Sequence, residues 1–284
     1  MIELLQDRLA RYKLADGVEQ DQALKEILQE LTLYALWREG FFEQAAFQGG
    51  TCLRVLYGLP RFSEDLDFVL KAPAPDFRWS AILVGVTNVL AEFGVGAELV
   101  DRSRADRAVQ MAMIKDDSLG GQLELQFMDA APRRKLRVKL EVDTNPPPGS
   151  GWEQRFHDFP ADFSITTQDL SSNFALKLHA VLCRPYIKGR DWFDFLWYVR
   201  RSIKPNLVLL HNALKQAGPY AAEHLDVNAS WLQQALIGKI NTLDWAQVLR
   251  DVEPFLGPVE RRSLSVWGVP LFTERAKQLC ELLQ

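Results

Sequence analysis

Two aspartates, Asp65 and Asp67, are the residues whose type and spacing point most directly to chemistry. They lie in DLDFVL, where apolar and polar residues alternate, and this alternation predicts a β-strand. Side chains two residues apart on a strand project to the same face, so these carboxylates could bind divalent ions as phosphoryl transfer requires. Mg²⁺, or Mn²⁺ in its place, suits such oxygen ligands. Two solvent-facing aspartates on an edge strand would give the same pattern.

A Gly-Gly-Thr turn precedes the aspartates. Gly49, Gly50 and Thr51 lead into a short apolar segment that predicts a helix from about Cys52 to Tyr57, with Thr51 as its N-cap. Glycine amides at a helix N-terminus can bind phosphate oxygens. An ordinary turn is the alternative.

Three polar residues flank the aspartate pair. Ser63 lies two residues before Asp65, on the same face, and could donate a hydrogen bond to a phosphate or simply belong to a turn. Arg54 and Arg61 flank the predicted site, and Arg54 could instead be the partner of a carboxylate.

A third carboxylate can come from the segment 136–142, whose alternation predicts another strand. On this strand Lys139, Glu141 and Asp143 share one face. Either acidic side chain could complete a metal site or accept the proton of an attacking hydroxyl. A charged solvent face is the alternative for whichever acid is not used.

The predicted helix at 169–182 carries Lys177 among alanine, leucine and valine residues. A lysine in such surroundings could direct its charge at a triphosphate, or it could extend its ammonium group to solvent. The sequence Lys-Gly-Arg-Asp at 188–191 opens the next predicted helix. Asp191 could cap that helix, or it could orient Lys177 and Arg190.

Three segments together resemble a known family. GGTCLRVLYGLPRFSEDLDF (49–68) resembles the opening motif of DNA-polymerase-beta-like nucleotidyltransferases, and in particular their MenT-like AbiEii/AbiGii toxin branch. KLEVD (139–143) resembles the strand that supplies the third carboxylate. NFALKLHAVLCRPYIKGRDWFDF (173–195) is similar to the KLxAxxxR…KxRDxxD motif of that branch. The resemblance covers about residues 45–200.

This resemblance implies an Mg²⁺-dependent toxin that transfers NMP from an NTP and is encoded beside an antitoxin; for related members the acceptor is the 3′ end of tRNA. The catalytic residues it implies are Asp65, Asp67, Glu141, Lys177 and Asp191. The nucleotide-binding residues are Gly49, Gly50, Thr51, Ser63, Lys177 and Arg190. The metal ligands are Asp65, Asp67 and Glu141, with Asp143 as the alternate to Glu141.

The order of predicted elements indicates an α+β fold: a polymerase-beta-like mixed sheet with flanking helices, followed by an all-α C-terminal domain. Strands are predicted at 97–100, 108–114, 123–127 and 136–142. NPPPGSG at 145–151 predicts a linker. We therefore expect a nucleotidyltransferase-like domain at 1–150 and a helical domain at 151–284 that completes the active-site cleft.

The bulk composition is that of an ordinary globular protein. The 284 residues are 48% hydrophobic and 25% charged, with a net charge of −4, which argues against disorder and gives no general signal for nucleic-acid binding. Neither a signal peptide nor a transmembrane segment is predicted, so we expect a cytoplasmic protein without a membrane partner. The three cysteines have no metal-ligand or CxxC spacing.

Two basic clusters could hold an RNA backbone beside such a site, although solvated turns would look the same. The clusters comprise Arg102, Arg104 and Arg107, and Arg133, Arg134, Lys135, Arg137 and Lys139. The leading hypothesis is therefore nucleotidyl transfer to RNA. Two others remain: a nucleotide- and metal-binding interaction module without turnover, and nucleotidyl transfer to a protein hydroxyl.

Overall fold

A computed structural model describes residues 1–104, 107–127 and 135–284. The chain divides into two compact units. The sheet unit comprises Met1–Tyr57, Phe62–Pro146 and Gln154–Thr167. The helical unit comprises Gly58–Arg61, Pro147–Glu153 and Gln168–Gln284.

Among the described residues, a seven-stranded sheet and five α-helices come first. In chain order these elements are α1 (Ile2–Ala10), α2 (Gly17–Arg38), β1 (Ala45–Gln48), α3 (Gly49–Tyr57), β2 (Asp65–Leu70), α4 (Ser80–Glu92), β3 (Glu98–Asp101), β4 (Val109–Asp116), α5 (Leu119–Gln122), β5 (Leu136–Asp143), β6 (Trp152–His157) and β7 (Phe163–Gln168). The strand order is β3-β4-β5-β2-β1-β7-β6. β2 pairs in parallel with β5 and antiparallel with β1, so the expected mixed sheet with flanking helices is confirmed.

The helical unit contains seven α-helices in the part of the chain that the structure describes. They are α6 (Leu170–Cys183), α7 (Gly189–Arg200), α8 (Leu207–Gln216), α9 (Ala229–Thr242), α10 (Trp245–Val252), α11 (Pro258–Ser263) and α12 (Val269–Leu283). Short 3₁₀ turns occur at Glu253–Phe255 and Leu264–Val266. Asp169 caps α6 by accepting a hydrogen bond from the Ser172 amide, as a helix N-cap does.

Alternation along β2 and β5 separates core from site. Leu66 and Phe68 are buried while Asp65 and Asp67 are partly exposed, and β5 repeats the pattern. The buried face packs on an aromatic cluster in which the Phe68 ring centroid lies 5.0 Å from that of Phe41. Burying that apolar face therefore fixes which face carries the aspartates, because a one-residue slip would exchange the faces.

The expected strand at 123–127 is wrong. Glutamine side chains from the first two helices take the hydrogen-bonding groups that a neighbouring strand would have used. The Gln20 amide bonds both the N–H and the carbonyl of Phe127, at 3.0 and 2.9 Å. Gln6 bonds Glu124 in the same way, with its amide donating at 3.2 Å and its oxygen accepting at 2.9 Å. This arrangement satisfies the backbone of the segment without a sheet.

Strands β6 and β7 occur where the sequence predicts only helices. β7 is buried on both faces along most of its length, so it lacks the alternation that identifies a half-buried strand. Its threonines are paired: Thr166 donates to the Phe42 carbonyl at 3.1 Å, and Thr167 contacts the Tyr57 hydroxyl at 3.1 Å. The threonines of β7, which the sequence alone would place at the surface, are thus interior residues whose hydroxyl groups have hydrogen-bonding partners.

No helix in the described parts of the chain combines the length and hydropathy needed to cross a bilayer.

Replacing Phe68 by alanine is expected to destabilise the protein by about 3–5 kcal/mol, because it leaves a cavity among Phe41, Phe47 and Trp79. Urea denaturation followed by circular dichroism measures this change. The control is Val84→Ala, since Val84 is 70% exposed on α4. Equal effects of the two substitutions would contradict the assigned core.

Candidate functional site

The pairing of β2 with β5 brings four charged side chains to one face of the sheet. The register places Asp65 beside Lys139 and Asp67 beside Glu141. All four residues are partly exposed. Three of the predicted site residues, Asp65, Asp67 and Glu141, therefore occupy neighbouring positions on adjacent strands. We call these four residues the carboxylate face.

Lys139 forms the ion pairs within the carboxylate face. Its Nζ lies 3.0 Å from Glu141 Oε2 and 3.5 Å from Asp65 Oδ2. Burial acts to lower the pKa of Lys139, but the negative charges of Asp65 and Glu141 outweigh it, so the pKa is raised. The side chain therefore stays an ammonium ion across the physiological range.

Gly49 allows the first turn of α3 to approach Asp67. Its φ is +77°, and a Cβ at this position would lie 2.5 Å from Asp67 Oδ2. Only glycine can adopt this conformation at so short a distance without displacing the carboxylate. Because α3 starts at Gly49 itself, the amides of the helix N-terminus lie next to the carboxylate face.

Thr51 does not cap the helix as predicted, because α3 begins two residues earlier. Thr51 is fully buried, and its hydroxyl donates to the Asp65 carbonyl. Ser63 is partly exposed just before β2, and its carbonyl accepts from Gln29 at 3.2 Å. Arg54 pairs with Glu26 at 2.8 Å. Of the two possibilities that the sequence leaves for Arg54, the structure therefore shows the pairing with a carboxylate.

The donor set of the carboxylate face suits a hard divalent ion, since it offers only carboxylate oxygens. The space that a Cβ on Gly49 would fill lies directly beside Asp67. Asp65 and Asp67 would hold the ion, which supplies positive charge for bound phosphates. Within residues 1–104, 107–127 and 135–284, however, no three acidic, histidine or cysteine side chains already converge as a metal-binding group.

Glu141 and Asp143 differ in their surroundings. Glu141 lies beside Asp67, whereas Asp143 lies beside Val69. Asp143 accepts a hydrogen bond from the Asn145 amide at 2.9 Å. Burial raises the pKa of Asp143. The register thus supports Glu141 as the third carboxylate, and Asp143 has a local role at the end of its strand.

The helical unit carries a separate buried ion cluster around Lys177. Its Nζ lies 2.8 Å from Asp191 Oδ1 and 2.9 Å from Asp194 Oδ2. Arg61 forms a bidentate pair with Asp194, with both N–O distances 2.7 Å. Arg184 pairs with the other oxygen of Asp191. We call these five residues the lysine cluster.

Three cations and two carboxylates give the lysine cluster one excess positive charge. Burial acts to raise the pKa of Asp191 and of Asp194, but their cationic neighbours outweigh it and lower both. Burial acts to lower the pKa of Lys177, yet the two aspartates raise it. The cluster therefore stays fully ionised at neutral pH, and its excess charge suits an anionic ligand.

Asp191 does not cap α7, which begins at Gly189. The N-cap residue is Lys188, and the Gly189 amide donates a hydrogen bond to the Asp251 carboxylate at 2.7 Å. Asp191 instead orients Lys177, one of the two roles considered for it. The guanidinium of Arg190 lies 4.0 Å from the ring centroid of Phe255.

Sequence reasoning assigns Lys139 only to a basic cluster that could hold RNA, and it assigns no role to Arg184 or Asp194. Lys139 is visible only as part of a basic run, and its role depends on the register between two distant strands. Asp194 follows Asp191 by three residues, which places both on one side of the helix. The predicted basic cluster at 133–139 lies partly outside the residues that the structure describes, since Arg133 and Arg134 are not among them.

The chain matches the model of the family described as "Nucleotidyl transferase AbiEii toxin, Type IV TA system" over residues 31–273. This match defines it as a nucleotidyltransferase enzyme. The chain belongs to the AbiEii toxin family. No curated protein matches it.

Two solved structures from Helicobacter pylori are similar to the chain. One is a provisionally assigned nucleotidyltransferase, with a TM-score of 0.48 and 16% identity over 95% of each chain. The other is JHP933, with a TM-score of 0.47 and 16% identity over 94% of this chain and 91% of that one.

Substitution of Gly49 by alanine is expected to cost about 1 kcal/mol of stability for the positive φ and also to displace the Asp67 carboxylate. Gly58→Ala is the matched control, because Gly58 has a φ of +72° but no atom within 4 Å of the point where a Cβ would lie. We expect similar losses of thermal stability but loss of Mn²⁺ binding, measured by electron paramagnetic resonance, in Gly49→Ala alone. Equal Mn²⁺ binding by both variants would count against a role for this close approach.

Substitution of Lys177 by methionine leaves two buried carboxylates with one arginine each, and is expected to cost about 2–3 kcal/mol at pH 7. The stability that Asp191 and Asp194 contribute, with their lowered pKa values, is present above about pH 4 and is lost as the pH falls further. The difference from wild type should therefore shrink below about pH 4. Urea denaturation at pH 7, 5 and 3.5 measures this.

Lys215→Met is the control for Lys177, because the Lys215 ammonium donates to the carbonyls of Ala221 and Glu223. Its effect should not depend on pH in this range. A pH-independent deficit in Lys177→Met would mean that lost packing, and not lost charge compensation, is responsible.

Proposed function

We propose that this enzyme is the toxin of a type IV toxin–antitoxin system and transfers a nucleoside monophosphate from an NTP to an RNA hydroxyl, with Mg²⁺ as cofactor. The observation that carries the proposal is the register that sets Asp65, Asp67 and Glu141 on adjacent strands beside the N-terminus of α3. Membership of the AbiEii family supports the reaction class.

The chemistry is an in-line displacement. An acceptor hydroxyl oxygen forms a bond to the α-phosphorus, the bond from that phosphorus to the bridging oxygen breaks, and pyrophosphate leaves with the bonding electrons. Glu141 would accept the hydroxyl proton, a role supported by its position beside Asp67 on the same face. The amides of Gly49 and Gly50 would bind phosphate oxygens, and Ser63 could donate to another. Bound Mg²⁺ would neutralise charge on the phosphates.

The excess positive charge of the lysine cluster supports a phosphate-binding role for Lys177. Asp191 and Asp194 would act through Lys177 by fixing the position of its ammonium group, since both lie within 3 Å of it. Arg190 remains a proposed nucleotide contact, although its guanidinium stacks on Phe255.

RNA as acceptor, and the tRNA 3′ end in particular, is the finer part of the proposal. Arg102, Arg104 and Arg107 are exposed, as a phosphate-binding cluster must be. Gln110 holds this loop by donating to the carbonyls of Arg104 and Arg107, at 2.9 and 2.5 Å. These two carbonyls are thus hydrogen-bonded within the protein, and the three exposed guanidinium groups can face a polyanion. A cognate antitoxin is the expected protein partner.

Incubation of the purified protein with each α-labelled NTP, Mg²⁺ and total RNA is expected to label RNA. Asp65→Ala should reduce labelling by on the order of 100-fold or more, because it removes charge stabilisation at the reacting phosphate. Asp117→Ala is the matched control, since Asp117 is exposed and forms a surface ion pair with Lys135. Gel separation of RNA, tRNA and protein products identifies the acceptor.

The same assay separates the alternatives. Label on protein would favour transfer to a protein hydroxyl, and tight NTP binding without any transfer would favour an interaction module. Glu141→Gln should reduce labelling far more than Asp143→Asn. The opposite order would assign the third carboxylate to Asp143.

A further inference from the structure

Lys139 occupies an unexpected position for a cation. It lies on the face that offers three carboxylates, directly beside Asp65 and two residues before Glu141, both of which the proposed function uses. Its ammonium group contacts carboxylates on both strands, Asp65 on β2 and Glu141 on its own strand. A positive charge therefore already takes up oxygens that a divalent ion would use.

The neighbouring strand explains why the ammonium group turns toward the acids. On the other side of β5, Lys139 lies opposite Met113 and Glu141 lies opposite Met111. Directly opposite residues in an antiparallel pair share a face. This flank offers thioethers and no carboxylate at these positions, so the partners for the ammonium group are Asp65 and Glu141.

The chemistry of the face calls for such a counter-ion. Asp65, Asp67 and Glu141 would repel one another if all three were ionised without a cation nearby. Half-buried side chains gain less screening from water than fully exposed ones do. Lys139 supplies one positive charge, which stabilises the strand pair when no metal is bound but competes with the metal for ligands.

We propose that Lys139 is a tethered counter-ion that holds the carboxylate face together before a metal binds and must be displaced when a divalent ion enters. This inference rests on the proposed function, because it assumes that the face takes a divalent ion. Lys139 is thus a positioning residue, which sets the metal affinity by competition. A purely structural cross-strand ion pair would stabilise the sheet without affecting metal binding.

The test is a titration of the full-length protein with Mn²⁺ alone, followed by electron paramagnetic resonance. Lys139→Met should bind Mn²⁺ about tenfold more tightly than wild type, because it removes a like charge within about 4 Å of the ligands. Lys115→Met is the matched control: Lys115 lies on the same face of the sheet, one strand further from Asp65, and its ammonium group pairs with Glu98 at 3.1 Å. Its Mn²⁺ affinity should stay within about twofold of wild type, since no ligand of the ion loses a neighbouring charge.

A second readout uses thermal unfolding. Without metal, Lys139→Met should unfold at a lower temperature than wild type, because its carboxylates have lost their counter-ion. Saturating Mn²⁺ should raise the unfolding temperature of this variant more than that of wild type. Equal shifts in the two proteins would overturn the inference.

Lys139→Arg keeps the test decisive if Lys139→Met does not fold. A guanidinium binds carboxylates bidentately and holds them more firmly than an ammonium group does. Lys139→Arg should therefore bind Mn²⁺ several-fold more weakly than wild type. Unchanged or tighter binding in this variant would overturn the inference.

The outcomes distinguish this inference from the proposed function. Equal Mn²⁺ affinities in wild type and Lys139→Met overturn the counter-ion role alone, because labelling of RNA is measured separately. Absence of Mn²⁺ binding in both proteins overturns the counter-ion role together with the metal dependence. Asp65→Ala should lose the Mn²⁺ signal in either background, which ties the measured ion to this face.

Discussion

The parallel pairing of β2 with β5 is the constraint on which the sheet unit depends. It is fixed from the buried side, where leucine, valine and phenylalanine side chains of both strands enter one core. The same register fixes which side chains are neighbours on the opposite face, where Asp67 lies beside Glu141 and Asp65 lies beside Lys139. The hydrophobic effect thus places charged groups that repel one another, and the fold must supply the charge that makes this tolerable.

The two units each contain closely spaced charges of like sign, and they compensate these charges in different ways. The carboxylate face has an excess of acids and is partly open to solvent, so a mobile cation can complete it. The lysine cluster is buried and has an excess of cations, with Asp194 fully enclosed. Buried charges persist only when each has a partner. Hence the carboxylate face is suited to binding cations, whereas the lysine cluster is suited to holding one ammonium group in a fixed place.

Many of the helices and strands could be predicted from the sequence, because one face of each is exposed to solvent and the other is buried. The alternation in β2 and β5 and the apolar pattern of α6 are sufficient to locate those elements. β7 escapes detection because both of its faces are buried. The segment 123–127 has the pattern of a strand, but glutamines more than 100 residues away in sequence bind its backbone.

The site shows the same limit. The alternation along single strands is enough to identify Asp65, Asp67 and Glu141 as candidates. The partners of Asp191 cannot be identified from any local pattern. Asp191 lies inside the first turn of α7, and the amide of Gly189 at the start of that helix is bonded by Asp251, 62 positions further along the chain. Lys139 likewise acquires its role only through strand register. Local pattern identifies the reactive groups, and long-range contacts decide how each is held.

The pairing of Arg61 with Asp194 has a consequence for how the enzyme is made. These residues are 133 positions apart. A chain growing on the ribosome cannot close the lysine cluster until Asp194 has been synthesised, about two thirds of the way along the 284 residues. Fragments that end before Asp194 therefore lack the paired charges of this cluster.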